Sequence, residues 1–333
     1  MRRTLIIALI LALIPCYAYA VAPWTGYYGY ADTRGPFDTS VMTGTLYWYV
    51  CDRTTTGDGG DNLADSTRNG VSVKVGDFDD IVTAINALSS NDGWVILFET
   101  SGKIDSGHVI TKDYGYIAGQ TAPSPVITFY DGKFELKADH IIVSHIRFRY
   151  GDGDNVTPLG INSATGSTAQ NIIIDHCSAS WCTWESNLVV NENSGGDTAN
   201  ISINYSIISE SIKDVQESKG SNINGPCETV SYLNNLFSGN RYRNPLMKGV
   251  SQYFANNIIY NADYYGPRAG EQGNYNYDLS FISNLIIGGP MSNTNASKRI
   301  LTIKDPNLSY DYDIYAYDNS CDDTTIGDTE KGP

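Results

Sequence analysis

A short segment of this chain groups residue types that could bind or activate an anionic substrate. Arg243 is followed by Asn, Pro, Leu and Met, and then by Lys248. A further cation, Lys219, precedes this segment in the stretch ESKG. Arginine can hold a carboxylate through two parallel hydrogen bonds, whereas lysine offers a point charge, so all three side chains are suited to carboxylates. The alternatives are a surface salt bridge for Arg243 and solvated side chains for the lysines.

The residues after this segment belong to a strand pattern that recurs along the chain. Each unit is a short β-branched and aromatic run that ends near an asparagine, aspartate or serine. The spacing between units is 22 to 31 residues when they are anchored on Ser144, Asp175, Asn204, Asn234, Asn256 and Ser283. Irregular repeats of about 20 to 50 residues are typical of solenoids.

Each repeat alternates apolar and polar residues, which indicates a strand and not a helix. Stacked copies would form parallel sheets around one continuous core. Asparagines that recur at one turn position are expected to stack in a ladder, as in a right-handed parallel β-helix. We therefore predict an all-β fold of this kind, with loops that protrude from some turns and build a binding groove. The alternative is an antiparallel sandwich, in which turn signals recur about every 8 to 12 residues.

The segment before the repeats has helical spacing. Apolar residues at Phe78, Ile81, Val82, Ile85 and Leu88 predict an amphipathic helix within residues 77–90. Such a helix could cover the N-terminal end of the solenoid, where an unpaired edge invites aggregation. The core repeats are expected over about 94–304, and a loose acidic, tyrosine-rich wrap is expected after about residue 305.

The N-terminus has the pattern of a secretory signal peptide. Arg2 and Arg3 precede a short apolar run, and residues 18–20 read AYA, which is a cleavage signal. We predict a signal peptide over 1–20, cleavage after Ala20, secretion of the protein, and a single domain over 21–333. No other apolar run is long enough for a membrane span. A monomer is the expected state.

Charge and cysteine content limit the possible partners. The formal net charge is −15, which excludes nucleic acid as a natural partner. It also opposes an acidic polysaccharide, unless cations are concentrated locally. Five cysteines remain after residue 20, so at least one of them has no partner within the chain. They are Cys51, Cys177, Cys182, Cys227 and Cys321.

Six segments, taken together, resemble the pectate lyase superfamily, the polysaccharide lyases that also include pollen allergens. The segment RNPLMKGVSQYFANN is similar to its Arg-x-Pro-x-x-Arg/Lys motif and the following strand. The other segments lie in the family's order at 94–104 (WVILFETSGKI), 117–123 (IAGQTAP), 146–152 (IRFRYGD), 171–181 (NIIIDHCSASW) and 207–212 (IISESI). The resemblance covers roughly residues 94–290 and implies a secreted β-helical enzyme that cleaves pectate.

The resemblance also implies roles for individual residues. Arg243 matches the base that removes the C5 proton of a galacturonate unit in a β-elimination. Lys219 and Lys248 match residues that contact the substrate, and Lys248 stands where the family has an arginine. Because the reference pKa of arginine lies above about 12, the base must be held in a strongly cationic site.

Calcium binding is the part of the pattern from which this chain departs. The family uses Ca²⁺ to neutralise the substrate carboxylate, and its ligands are acidic residues. Here the expected aspartate is missing from the stretch TPLGI, and one acid of the next motif is a tryptophan. Asp152, Asp154 and Glu185 are the remaining candidate ligands, since carboxylate oxygens suit Ca²⁺.

Two other functions compete with the lyase. A non-catalytic carbohydrate-binding or adhesive β-helix agrees with the altered calcium positions and the 24 tyrosines, whose rings can stack on sugars. A β-helical glycoside hydrolase needs carboxylates spaced for acid and water activation, and no such motif is present in the sequence.

Overall fold

Strands dominate the part of the chain that the computed structural model describes. The described residues are 33–55, 63–105, 107–151, 157–183, 186–212, 218–270, 275–292, 300–304 and 310–321. Their strands form three sheets of 12, nine and eight strands. We call them sheets A, B and C.

Sheet A is the largest sheet and begins nearest to the N-terminus. In chain order its strands are β1 (Leu46–Cys51), β2 (Ala64–Arg68), β3 (Val71–Gly76), β4 (Gly93–Phe98), β7 (Gly115–Ala118), β10 (Ile141–Ser144), β13 (Thr168–Asp175), β16 (Asp197–Asn204), β19 (Glu228–Leu233), β22 (Ser251–Ala255), β25 (Tyr277–Ile282) and β28 (Tyr312–Tyr317).

Sheets B and C are built from shorter strands. Sheet B contains β5 (Gly102–Asp105), β8 (Ile127–Tyr130), β11 (Arg147–Arg149), β14 (Ser178–Ser180), β17 (Ile207–Ser209), β20 (Leu236–Ser238), β23 (Ile258–Tyr260), β26 (Leu285–Ile287) and β29 (Ser320–Cys321). Sheet C contains β6 (His108–Ile110), β9 (Phe134–Leu136), β12 (Leu159–Ser163), β15 (Leu188–Glu192), β18 (Ser221–Asn224), β21 (Leu246–Met247), β24 (Arg268–Gly270) and β27 (Thr302–Lys304).

The order of these strands defines the fold. From β4 onward the chain contributes strands to sheets A, B and C in turn and then begins the next coil. Neighbouring strands are parallel throughout, except for the antiparallel pair β2 and β3. This topology is a parallel β-helix, and parallel crossovers are right-handed in nearly all proteins. The predicted fold is confirmed, and the antiparallel sandwich is wrong.

The core fills the space that the three sheets enclose. Inward-facing side chains stack from coil to coil, as the rings of Phe254 and Phe281 do at 5.2 Å and an angle of 6°. Phe237 and Tyr232 pack against Phe254 from neighbouring strands. Because every coil buries such residues against the next, the core is continuous along the solenoid.

The predicted capping helix is present as α1 (Phe78–Asn86). Asp77 caps it, because the side chain of Asp77 accepts a hydrogen bond of 3.0 Å from the backbone N–H of Asp80. Phe78 packs on the ring of Phe129, with 4.6 Å between centroids. The helix therefore covers the core at the end where sheets B and C begin. Two short 3₁₀ turns, Gly35–Phe37 and Gly119–Thr121, complete the described helical structure.

An asparagine ladder is present at the turns from sheet A to sheet B. Asn235 donates to the side chain of Asn257 at 3.0 Å, Asn257 donates to Asn284 at 3.1 Å, and Asn284 donates to Asn319 at 2.9 Å. Each amide also donates to a backbone carbonyl of a preceding strand, as Asn257 does to Tyr232 at 2.9 Å. The buried amides thus tie successive turns together.

The six anchor residues of the repeats fall into two registers that differ by one residue, since Ser144, Asp175 and Asn204 pair with one another but not with the last three. Asn204 still belongs to a strand and pairs with Leu233, so it is not equivalent to Asn234. Asn234 and Asn256 are the first turn residues, with φ of 59° and 55°. The ladder is formed by the residues that follow them. Asparagine tolerates the left-handed conformation and also forms the ladder, so spacing alone does not separate the two positions.

The sheets extend beyond 94–304 on both sides. Strands β1 to β3 precede this range, and β28 and β29 follow it. The loose wrap expected after residue 305 is wrong for residues 312–317, which pair in parallel with β25 along their whole length. The cause is that Tyr312, Ile314, Tyr315 and Tyr317 are β-branched or aromatic residues, which suit a strand.

Four of the cysteines, Cys51, Cys177, Cys182 and Cys227, are buried thiols. The Cys177 thiol donates to the carbonyl of Asp175 at 3.3 Å, and that of Cys227 donates to Asn224 at 3.2 Å. Burial raises the pKa of Cys51 and of Cys177 to about 12, so both are held as neutral thiols. They fill the core as small apolar residues do.

The predicted signal peptide, residues 1–20, lies outside the described residues. Within the described ranges no helix is long and apolar enough to cross a membrane.

Candidate active site

The connections from sheet B to sheet C position the two residues that were predicted to be catalytic. Four successive connections, which we call the B–C loops, are 181–187, 210–220, 239–245 and 261–267. Their coils are neighbours along the solenoid, so the loops lie side by side. Lys219 is in the second loop and Arg243 is in the third.

The backbone of Arg243 is held at the end of its loop. Its carbonyl accepts a hydrogen bond of 2.8 Å from the N–H of Ser221, and it precedes a cis peptide bond between Asn244 and Pro245. The carbonyl of Pro245 accepts a bond of 2.9 Å from Arg268. Arg243 has a φ of 55°, a left-handed conformation that many turn residues of this solenoid share. The side chain of Arg243, which is half-buried, therefore extends from a backbone that is fixed in position.

Lys219 lies beside this segment. It pairs with Tyr242 in a parallel β-bridge, and Tyr242 directly precedes Arg243. Adjacent strands are about 4.8 Å apart, so the Lys219 and Arg243 backbones lie in neighbouring positions. Lys219 is only 4% exposed. The structure therefore brings together the two residues predicted to be catalytic.

Gly220 permits this close approach. A Cβ at Gly220 would lie 2.6 Å from the carbonyl oxygen of Arg243, a distance that real contacts essentially never show. The N–H of Gly220 donates to the carbonyl of Tyr242 at 2.8 Å. A side chain at this position would therefore force the two loops apart.

Lys248 lies at the opposite end of β21 from Arg243. Met247 pairs with Ile223 and Ala269, and all three face the core. Because successive side chains along a strand point to opposite faces, Lys248 faces outward. Tyr275 donates a hydrogen bond to the carbonyl of Lys248. Lys248 is thus on the outer surface of sheet C, and not in a B–C loop with Arg243 and Lys219.

Two further cations near Arg243 were missed from the sequence. The guanidinium of Arg241 lies 5.1 Å from the Tyr242 ring centre and its Nε is 3.7 Å from Asp263. Arg268 lies over the ring of Tyr265 at 5.0 Å and faces outward beside Leu246. Arg241 lies two residues before Arg243, so the sequence alone could have identified it as a candidate. Arg268 becomes a neighbour only through the register of β24.

A concentration of positive charge results. Arg241, Arg243 and Lys219 lie in adjacent B–C loops, and Lys248 and Arg268 lie on the adjoining outer face of sheet C. The whole chain has a net charge of −15. Within the described residues, the B–C loops and the adjoining face of sheet C thus bring five cations into one region, together with the acids Glu210 and Asp263.

A fourth arginine lies at the beginning of this region. Arg149 donates to the carbonyl and to the hydroxyl of Ser178 at 3.0 and 2.8 Å, and its guanidinium lies 5.6 Å from the ring of Trp181. Burial, the largest cause, and the neighbouring Arg147 lower the pKa of Arg149 to about 10, and Glu210 partly opposes them. Arg149 remains charged at neutral pH and supports the first B–C loop.

The predicted calcium ligands are not among these residues. Asp152, Asp154 and Glu185 lie outside the described residues. Within the ranges that the structure describes, no group of three or more His, Cys, Asp or Glu side chains is arranged to hold a metal ion.

Curated proteins similar to this chain agree with the motif resemblance. A probable pectate lyase C of Aspergillus flavus is 32% identical over 215 residues, which are 63% of this chain and 48% of that protein. A probable pectate lyase C of Aspergillus fumigatus is 33% identical over 220 residues, or 64% of this chain and 48% of that protein. The chain thus spans about half the length of these relatives. No protein-family model matches it.

A solved structure agrees with the fold. The crystal structure of jun a 1, the major allergen from cedar pollen, superimposes with a TM-score of 0.50 and 13% identity. The match covers 90% of this chain and 83% of the allergen. The resemblance to pectate lyases that the motifs predicted is confirmed by these relatives, and the match to the allergen agrees with the fold, a right-handed parallel β-helix.

Proposed function

We propose that this protein is a secreted polysaccharide lyase that cleaves pectate or a related uronan by β-elimination. The observation that carries the proposal is the placement of Lys219 and Arg243 in adjacent B–C loops, with further cations around them. The relatives named probable pectate lyase C support the same class of reaction. An acidic polysaccharide is therefore the proposed substrate, and a monomer exported after cleavage at Ala20 is the proposed form.

The chemistry assigns a role to each cation. The reaction removes the C5 proton of a uronate unit, places negative charge on the adjacent carboxylate, and expels the C4 oxygen. Arg243 takes the proton. Lys219, 4% exposed and therefore poorly solvated, stabilises the developing charge where water screens it little. Lys248 binds a substrate carboxylate from the outer face of sheet C.

Calcium belongs to the proposal as a further source of positive charge. Asp152, Asp154 and Glu185 are the residues that we propose to hold it. A divalent cation held there would supply positive charge to offset the substrate carboxylate.

The test is absorbance of unsaturated product from polygalacturonate, measured for wild type and for Arg243→Ala. We expect a signal that the substitution lowers by at least about a hundredfold, since general base catalysis contributes about 10² to 10⁴. Chelator is expected to lower the wild-type signal. The matched control is Arg68→Ala, which removes an exposed arginine paired with Glu99 at 2.6 Å and is expected to keep full activity.

A carbohydrate-binding protein without turnover is the second candidate, favoured by the replaced acidic positions at TPLGI. Saturable binding of polygalacturonate by a folded wild-type chain that forms no unsaturated product would support this candidate and contradict the lyase.

A further inference from the structure

Three buried asparagines form a second amide network, separate from the ladder between sheets A and B. Asn187, Asn240 and Asn244 come from the first and third B–C loops, and each is 0% exposed. Buried amides are retained only where they find partners, because an unpaired polar group in the interior costs free energy. Their partners show what the network connects.

The side chains form a continuous chain of hydrogen bonds. Asn187 donates to the Oδ1 of Asn240 at 3.1 Å, and Asn240 donates to the Oδ1 of Asn244 at 3.1 Å. Asn244 then donates to the backbone carbonyl of Tyr265 at 3.1 Å. The network therefore reaches from the first B–C loop to the fourth.

Backbone groups of the intervening loop bind to the same amides. Asn240 accepts from the N–H of Ser211 at 3.2 Å and donates to the carbonyl of Ile208 at 2.8 Å. Asn187 accepts from the N–H of Cys182 at 2.9 Å, and its own N–H donates to the carbonyl of Lys219 at 3.1 Å. All four B–C loops are thus connected through three side chains.

The network lies directly beneath the proposed catalytic residues. Asn244 follows Arg243 in the chain. A Cβ at Gly220, the residue after Lys219, would lie 3.0 Å from the amide nitrogen of Asn240 and 3.0 Å from the side-chain oxygen of Asn244. The same amides therefore support both the loop with Lys219 and the loop with Arg243.

We propose that Asn187, Asn240 and Asn244 are positioning residues that hold Lys219 and Arg243 at the separation the reaction needs. The inference rests on the proposed lyase function. Two cations in adjacent loops repel each other, and loops lack the regular hydrogen bonds of the sheets. A neutral amide network opposes this repulsion without adding charge to the site, and stabilisation of developing charge requires such fixed positions.

The ladder between sheets A and B offers a matched control. Asn257 is 1% exposed, accepts from the N–H and the side chain of Asn235, and donates to Asn284 and to a backbone carbonyl. Asn240 has the same kinds of partner in the B–C loops. Replacement of either residue by alanine removes an equivalent buried amide, but only Asn240 lies beside the proposed catalytic residues.

The experiment compares kcat and KM on polygalacturonate for Asn240→Ala, Asn240→Ser and Asn257→Ala, at a temperature well below the lowest Tm. We expect both Asn240 variants to lower kcat by about a hundredfold, the cost of a displacement of about 1 Å, with KM within about twofold of wild type. Asn257→Ala is expected to lower Tm similarly and to keep kcat within about twofold. Equal kcat losses at both sites, or a wild-type kcat in Asn240→Ser, would overturn the proposal.

Hydrogen exchange of residues 218–222 separates failure of this inference from failure of the proposed function. The N–H groups of Gly220 and Ser221 bond to the carbonyls of Tyr242 and Arg243. Asn240→Ala is expected to speed their exchange at least tenfold and Asn257→Ala to leave it unchanged, whether or not wild type turns over a uronan. Unchanged exchange in Asn240→Ala would overturn the positioning role.

Discussion

Arg243 shows what a single residue gains from its place in the solenoid. Its φ of 55° and the hydrogen bond that its carbonyl accepts from the N–H of Ser221 fix the backbone from which the side chain extends. Gly220 lets the neighbouring loop approach to within contact distance. Arg243 and Lys219 could be predicted from the sequence because each lies in a short motif of adjacent residues. The sequence did not predict Arg268, which depends on the register of β24 against β21.

Arg268 is expected to bind a carboxylate of the substrate on the coil after Arg243. Arg268→Gln should raise KM for polygalacturonate by about tenfold or more, because a hydrogen bond to a charged group contributes about 1.5 to 3 kcal/mol. The value of kcat should change little, since the residue lies away from the reacting carbon. Arg147→Gln, at an exposed position of sheet B, is the control. An unchanged KM in Arg268→Gln would remove Arg268 from the binding surface.

The helix α1 illustrates what one element contributes. Periodicity predicted it, and the Asp77 cap and the aromatic contacts of Phe78 confirm that it packs against the end of the core. Strands β1 to β3 were not predicted, because β1 and β3 end without an asparagine, and the turn at Asn69 joins β2 and β3 as an antiparallel pair outside the parallel repeat. The register error at Asn204 has a related cause, since an asparagine that ends a strand looks the same as one that begins a turn.

His108, on the first strand of sheet C, makes this end of the molecule sensitive to acid. It is 3% exposed, its ring lies 4.8 Å from that of Phe78, and its Nδ1 is 3.2 Å from Asp79. Burial lowers the pKa of His108 from 6.5 to about 4. The neutral form is therefore the one that stabilises the fold. This contribution is complete above about pH 6.5 and is lost as the pH falls towards 4.

Chemical denaturation between pH 7 and 4 tests this effect. Wild type is expected to lose up to about 3 kcal/mol of its free energy of unfolding through this group, the equivalent of the pKa difference. His108→Gln should lack that part of the pH dependence. His176→Gln, which replaces a side chain that is 49% exposed, should retain it. The same pH dependence in His108→Gln and wild type would contradict the assignment.

The whole molecule combines an acidic chain with a cationic site. Composition predicted the repulsion between a net charge of −15 and a polyanion, but only the fold shows where the cations collect. Stacking of coils brings together residues that lie apart in the sequence, as it pairs Lys219 with Tyr242 and Leu246 with Arg268. Composition and motifs alone therefore could not show how an acidic chain would bind an acidic polysaccharide.

Ionic strength should therefore affect kcat/KM for polygalacturonate in two opposite ways. The screening length is about 30 Å at 0.01 M salt, 10 Å at 0.1 M and 3 Å at 1 M. At the lowest salt the substrate is repelled by the whole chain, whereas at 0.1 M it interacts mainly with the nearby cations. We expect a rise from 0.01 to 0.1 M and a fall towards 1 M, measured at constant calcium concentration. A steady fall from the lowest salt would show that the net charge has no influence.

The measurement that tests the central claim most directly is mass spectrometry of polygalacturonate fragments produced in water enriched in heavy oxygen. Elimination by Arg243 breaks the bond to the C4 oxygen without adding water. The fragments should therefore carry a C4–C5 double bond and no heavy oxygen beyond exchange at the reducing end, and Arg243→Ala should produce none. Saturated fragments, which lack the C4–C5 double bond and are heavier by one molecule of water, would identify hydrolysis and contradict the account.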